Sequence, residues 1–277
     1  MYRVSKVLNN NGVIAIDMDE NQEYVILGKG VGFGKKVSQR FDKPQECTMY
    51  RLAQETERGS AKELVKGIEP EYLEIADAIL TEAQKVFGDS IDRGILFPLA
   101  DHISFAVARI RRNEQISNPL TEDIKVLFYR EFKVAETLKT ILKERLQIEI
   151  DDHEVGYVAL HIHSAIGDEK VSVAMQTARA VRECIDMIEK ATGKPIDVLS
   201  LSYNRLMNHM KYMVARASTG EKLNLDMNEY MLDQYPQAYE IAADICKNLE
   251  GCIGHKLDET EIGYLAMHIQ RVYKDAV

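Results

Sequence analysis

Two hydrophobic periods divide the chain. Through residue 55 the apolar positions come in short runs, Tyr2 to Leu8, Val13-Ile14-Ala15-Ile16 and Glu23-Tyr24-Val25-Ile26-Leu27. The turn-forming Asn9-Asn10-Asn11-Gly12 separates the first two and reads as a hairpin, while the polar Asp17 to Asn21 separates the second from the third. Cys47 to Leu52 follows a glycine-rich loop, Gly28 to Gly34, and supplies a fourth run. The pattern predicts a four-stranded antiparallel sheet whose small core calls for dimerisation.

From Glu71 the period becomes helical. Tyr72, Ile75, Ala76, Ile79, Ala83 and Val86 share one stripe, and Gly88 stops it. Asn118-Pro119 reads as an N-cap with proline at the first helical position. Asp151-x-x-Glu154 and Asp258-x-x-Glu261 read as capping-box-like starts that place His161 and His268 well inside helices. The expected organisation is multidomain: a small all-β head over 1–55, a polar linker at 56–62, and two duplicated all-α helical bundles over 63–169 and 170–277.

The duplication is explicit at an offset of 107 residues. It carries Leu99 onto Leu206, Val107-Ala108-Arg109 onto Val214-Ala215-Arg216, Ala135 onto Ala242, and Glu154 to Ile162 onto Glu261 to Ile269. Packing alone preserves apolar members of a repeat, since a helix face asks only for volume and hydrophobicity. It does not ask for histidine twice at the same two places, yet His102 recurs as His209 and His161 as His268. A lone histidine on an apolar face is usually a core residue; four in register point to the reversible chemistry imidazole performs near neutral pH.

Charge sharpens the division. The net charge is −9, but residues 1–55 hold eight Lys and Arg against seven Asp and Glu, so the remainder carries −10. A polyanion is expected to meet the head and not the acidic body. No apolar run is long enough to span a membrane, and the N-terminal residues lack a signal-peptide apolar region, so a cytoplasmic protein is expected. Cys47, Cys184, Cys246 and Cys252 show no metal-ligand spacing and read as free thiols.

Metal chemistry finds little support. There is no H-E-x-x-H, and His161 and His163 stand about 200° apart around a helix. His102 and His161 could converge from different helices, but the repeat offers no clear third ligand; Glu154 lies seven residues before His161, on the same face but about 10 Å away along the axis. Nucleophile-elbow, phosphate-loop and dinucleotide motifs are missing. What remains is imidazole as a phosphoryl acceptor, where the added charge of about two units can make or break an interface.

The segment Lys6-Val7-Leu8-Asn9-Asn10-Asn11 with Gly28-Lys29-Gly30-Val31-Gly32-Phe33-Gly34-Lys35-Lys36, joined to two Asp/Asn-His and two E-x-G-Y-x-A-x-H-I blocks, resembles the BglG/LicT/SacY transcriptional antiterminators along the whole chain. The resemblance implies a co-antiterminator RNA-binding domain followed by two phosphotransferase-system regulation domains, with no enzymatic activity, cofactor or metal. It implies a homodimer whose heads clamp an RNA hairpin in a nascent leader transcript and keep an overlapping terminator from forming. HPr and a sugar-specific enzyme II would be the phosphoryl donors. The RNA contacts carried over are Lys6, Asn11, Gly28, Lys29 and Phe33; the phosphoacceptors are His102, His161, His209 and His268. The chemistry agrees, since Asn11 can reach base edges, Phe33 can stack and Lys29 can meet phosphate. Two residues depart from the pattern: Asn208 stands where Asp101 precedes the first histidine, and Lys29 stands where several relatives have arginine. The loop and the His161-Ile162-His163 block are most similar to the glucose-responsive branch. Two rival readings use the same residues, a phosphohistidine carrier or phosphatase-like enzyme, and a helical scaffold in which the histidines are core.

Overall fold

The structure is a computed structural model that describes residues 1–52, 55–56, 59–167, 170–197 and 200–275. Residues 57–58 of the expected linker and 168–169 at the expected junction of the bundles lie outside the described residues. The head contains β1 (Tyr2–Asn9), β2 (Gly12–Asp17), β3 (Glu23–Leu27), β4 (Arg40–Phe41) and β5 (Thr48–Arg51), an antiparallel sheet in the order β4-β1-β2-β3-β5. It therefore has five strands and not four. β4 pairs only Phe41 with Tyr2 and Arg40 with Arg3, and two residues carry no alternation to read. Val13, Ala15, Ile26 and Val31 form the buried centre of one face, packed by Tyr2, Val7, Tyr24 and Met49. Ile14, Val25 and Tyr50 are buried on the other face, where the Tyr50 ring meets Phe97 edge-on at 6.3 Å.

A short ladder, β6 (Glu55–Thr56) with β7 (Gly59–Ser60), leads into α1 (Ala61–Gly67), α2 (Pro70–Phe87) and α3 (Leu96–Arg111). The α2 stripe buries Tyr72, Leu73, Ile75, Ala76, Ile79, Leu80 and Ala83, each large member contributing about 1.5–3 kcal/mol. Gly88 ends it at φ 70°, and Val86, counted on the stripe from sequence, is instead exposed. Next come α4 (Thr121–Leu127), α5 (Tyr129–Ala135), α6 (Thr137–Leu146) and α7 (Asp152–Gly167). Asn118-Pro119 does not open a helix: α4 begins at Thr121, with Leu120 at the cap position. The last helices are α8 (Val171–Thr192), α9 (Leu201–Thr219), α10 (Asn228–Gln234), α11 (Pro236–Ile253) and α12 (Thr260–Asp275).

The chain forms two compact units, Met1–Asn118 with Arg130–Val171, and Pro119–Tyr129 with Ser172–Val277. The first holds the head together with α1–α3 and most of α5–α7. The second holds α4 with α8–α12, because α4 finds its polar partners there: the Tyr203 hydroxyl donates to Asp123 at 3.1 Å, and Lys211 donates to the Leu127 carbonyl at 2.6 Å. Asp123 is buried, and burial raises its pKa, against which Tyr203 and Arg182 act. No helix of the described residues is long and apolar enough to cross a membrane.

Candidate functional site

The Gly28 to Gly34 loop folds over the β1–β2 turn. Gly28 N–H donates to the Asn11 carbonyl at 2.9 Å, Gly30 N–H to the Asn11 side-chain oxygen at 3.0 Å, and Gly32 N–H to the Asn10 carbonyl at 2.9 Å. The approach is close enough that a Cβ on Gly32 would sit 2.0 Å from the Asn9 carbonyl, which is why glycine is required there. Asn11, Gly28, Lys29 and Phe33 are thus brought together, with Lys29 exposed and Phe33 75 % exposed in the same loop. Lys6 is exposed in the middle of β1, opposite Ile14.

One carboxylate reaches this turn from α2. Asn9 Nδ2 donates to Glu74 Oε1 at 2.6 Å and Asn11 Nδ2 to Glu74 Oε2 at 3.2 Å, and Arg145 lies 3.7 Å from the same carboxylate. A second polar cluster fixes the head to the helices: the Tyr50 hydroxyl and Arg93 both donate to Asp77, and Arg93 also donates to the Tyr50 oxygen at 2.8 Å. Burial raises the Tyr50 pKa, so its hydroxyl stays protonated and serves as donor.

The repeated histidines meet in pairs. In the first unit His102 on α3 faces His161 on α7 with ring centroids 5.3 Å apart; in the second, His209 on α9 stacks on His268 on α12 at 4.8 Å. A tyrosine flanks each pair, Tyr157 and Tyr264 at 5.7 and 6.2 Å from the α3 and α9 rings. His102 Nε2 lies 3.6 Å from Glu154 Oε2, and His209 Nε2 lies 3.7 Å from Glu261 Oε2. An arginine holds each carboxylate: Arg109 donates to Glu154 Oε1 at 2.7 Å, while Arg216 binds both Glu261 oxygens, Oε1 through Nε at 2.6 Å and Oε2 through Nη2 at 2.9 Å.

Sequence reasoning missed these Glu-Arg pairs. Glu154 and Glu261 stand at capping-box positions, and the aspartates do cap, Asp151 accepting from His153 and Glu154 N–H and Asp258 from Thr260 N–H and hydroxyl, but the glutamate side chains go to arginine instead of back to the cap. The glutamates turn inward and are 3 % and 1 % exposed. The available signal was the register, since Arg109 and Arg216, Glu154 and Glu261 all recur at the same offset as the histidines. Asn208 also loses its importance: the carboxylate facing the second copy's histidine is Glu261. Glu154 supplies a carboxylate beside His102, but among the described residues no group of three His, Cys, Asp or Glu is arranged to hold a metal ion. The remaining histidines have other neighbours. His153 Nδ1 accepts from Asn118 N–H at 3.3 Å, His163 Nδ1 lies 3.0 Å from Glu131, and His255 is exposed.

Burial sets the charge state of the second pair. It pushes His209 down to about 3, aided by His268 and Arg216, and His268 down to about 4, aided by Arg271 and Arg205. Burial raises the Glu154 pKa, but His102 and Arg109 outweigh it and leave the carboxylate below its usual range. The second site offers neutral imidazoles, the form that carries a nucleophilic lone pair, beside a glutamate paired with arginine.

Comparison with known proteins places this geometry in context. Residues 2–59 match the CAT RNA binding domain, and residues 77–165 and 182–272 match the PRD domain twice. The chain is 30 % identical over 274 residues to the GlcA/glcB genes antiterminator of Staphylococcus carnosus (strain TM300), covering 97 % of this chain and 94 % of that one. It is 28 % identical over 278 residues to the transcription antiterminator LicT of Bacillus subtilis (strain 168), covering 99 % and 100 %. A crystal structure of GlcT CAT-PRDI aligns with a TM-score of 0.52 at 30 % identity over 60 % of this chain and 98 % of that one.

Proposed function

Because the chain belongs to the family of transcription antiterminators that join a CAT RNA-binding domain to two PRD domains, we propose that it binds an RNA hairpin in a nascent leader transcript and prevents an overlapping terminator from forming. The carrier and phosphatase alternatives give way to this reading, since the relatives are regulators of transcription. Residues 1–55 form the RNA-binding domain, 63–169 and 170–277 the two regulation domains, and the protein acts as a cytoplasmic homodimer. Lys6, Asn11, Gly28, Lys29 and Phe33 contact the RNA. His102, His161, His209 and His268 accept phosphoryl groups from HPr and a sugar-specific enzyme II.

The observation that carries the reading is the meeting of the repeated histidines, face to face in both units, each pair beside an arginine-held carboxylate. A core role would explain apolar packing, but not two uncharged rings that each bury one nitrogen, Nε2 of His209 and Nδ1 of His268, without a hydrogen-bond partner. The head supplies the other half: a backbone-rich loop with an exposed aromatic and lysine suits unpaired bases and phosphate. RNA approaching Asn11 must displace the Glu74 carboxylate. The test is terminator readthrough on a leader template with the purified chain, with and without HPr, enzyme I and phosphoenolpyruvate. Readthrough that responds to phosphorylation supports the reading; readthrough that ignores the chain rejects it.

A further inference from the structure

We propose that Glu154 and Glu261, each held by an arginine, are positioning residues that keep the proton of His102 and His209 on Nε2, so that Nδ1 is the atom that takes the phosphoryl group. The inference rests on the phosphoacceptor reading above and adds which atom reacts. In both units the same nitrogen, Nε2, points at a glutamate oxygen, at 3.6 and 3.7 Å, and in both it is buried without another partner. In the first unit the facing oxygen, Glu154 Oε2, is equally without a partner. A neutral imidazole has one N–H and one lone pair. Turning the lone pair toward a buried carboxylate would oppose two electron-rich groups, whereas turning the N–H toward it gives a charge-assisted contact that shortens when the site tightens. The arginine fixes the carboxylate: Arg216 grips Glu261 through two nitrogens, and Arg109 binds Glu154 through one. The proton is thereby assigned to Nε2 and the nucleophilic lone pair to Nδ1.

The transfer balances without moving a proton on the acceptor. The Nδ1 lone pair forms the new N–P bond as the N–P bond of the donor phosphohistidine breaks, and the donor ring keeps that electron pair. The acceptor ring retains its Nε2 proton and becomes a phosphoimidazolium, whose positive charge faces the glutamate. The carboxylate thus stabilises the product as well as the tautomer. At His268 the nitrogen buried without a hydrogen-bond partner is Nδ1, the opposite one.

The first test needs no variant. The full-length chain is charged with phosphoenolpyruvate, enzyme I, HPr and the sugar-specific enzyme II, and 31P spectroscopy with base hydrolysis separates the two phosphohistidine isomers, mapped by peptide. The proposal expects the Nδ1 isomer at His102 and His209. Nε2 label at either residue overturns it while leaving the phosphoacceptor reading intact; no label at either residue overturns both. The second test reads 15N shifts of the histidine rings in the unphosphorylated chain. Nε2–H should dominate at His209, and Glu261→Gln should bring in the Nδ1–H form and slow labelling by about tenfold. A wild-type His209 already in the Nδ1–H form, or a Gln variant with unchanged ring shifts, refutes the role.

Discussion

Replacing Glu74 by glutamine should raise the affinity of the full chain for its leader hairpin. Glu74 sits on α2, outside the head, yet its two oxygens accept from the side-chain amides of Asn9 and Asn11 at 2.6 and 3.2 Å. Hydrogen bonds to a charged group contribute about 1.5–3 kcal/mol each when well protected. The Glu74 side chain is 19 % exposed and shares Arg145, and glutamine keeps one acceptor, so the loss is taken as about 1–2 kcal/mol in total. RNA binding that must first break this clasp should therefore tighten by about 5- to 30-fold. Filter binding at fixed salt measures it, with Glu71→Gln as the control for removing one negative charge from the same helix. A control that gains as much as Glu74→Gln would show simple electrostatics, and an unchanged or weakened Glu74→Gln complex would refute the clasp.

Other outcomes follow from the same structure. Lys29→Ala should weaken binding to many RNAs alike and lower the salt dependence, whereas Asn11→Ala should also loosen sequence choice; equal discrimination in both variants, measured against mismatched hairpins, would contradict the assigned roles. Because burial depresses His209 and His268 from 6.5, the unfolded chain binds more protons below that pH. The pair therefore stabilises fully well above pH 6.5 and by pH 5.5 loses about 1.4 kcal/mol at His209 and less at the more solvent-screened His268, visible as a lower urea midpoint that His209→Gln with His268→Gln should flatten. Tyr203→Phe removes the hydroxyl that donates to the buried Asp123 carboxylate, leaving it Arg182 at 4.0 Å, and should cost about 1–3 kcal/mol in thermal or urea unfolding; a neutral result would mean that water replaces the hydroxyl. Aspartate at His102 or His161 should reduce readthrough and at His209 or His268 increase it, and identical readthrough and small-angle scattering across the four would exclude a charge-driven switch between the two domains.

Periodicity and repetition were enough to divide the chain into a β head and a helical body, because strand alternation and the helical stripe are local signals repeated over many residues. The offset of 107 also singled out the four histidines, since a repeat reports identity without needing distance. Three things lay beyond that reach. β4 is two residues long and exists only because Tyr2 and Arg3 offer an edge to pair with. α4 reads from sequence as part of the first bundle, but the buried Asp123 takes its partners from Tyr203 and Arg182, some sixty to eighty positions later, and so belongs to the second unit. Most consequential are Glu154 and Glu261, which sequence assigned to helix caps because Asp and Glu three apart at a helix start form that local motif. Whether such a glutamate folds back to its own cap or turns into the core depends on whether an arginine waits there. Arg109 and Arg216 lie 45 residues away along the chain, and only packing α3 on α7 and α9 on α12 brings them within 3 Å.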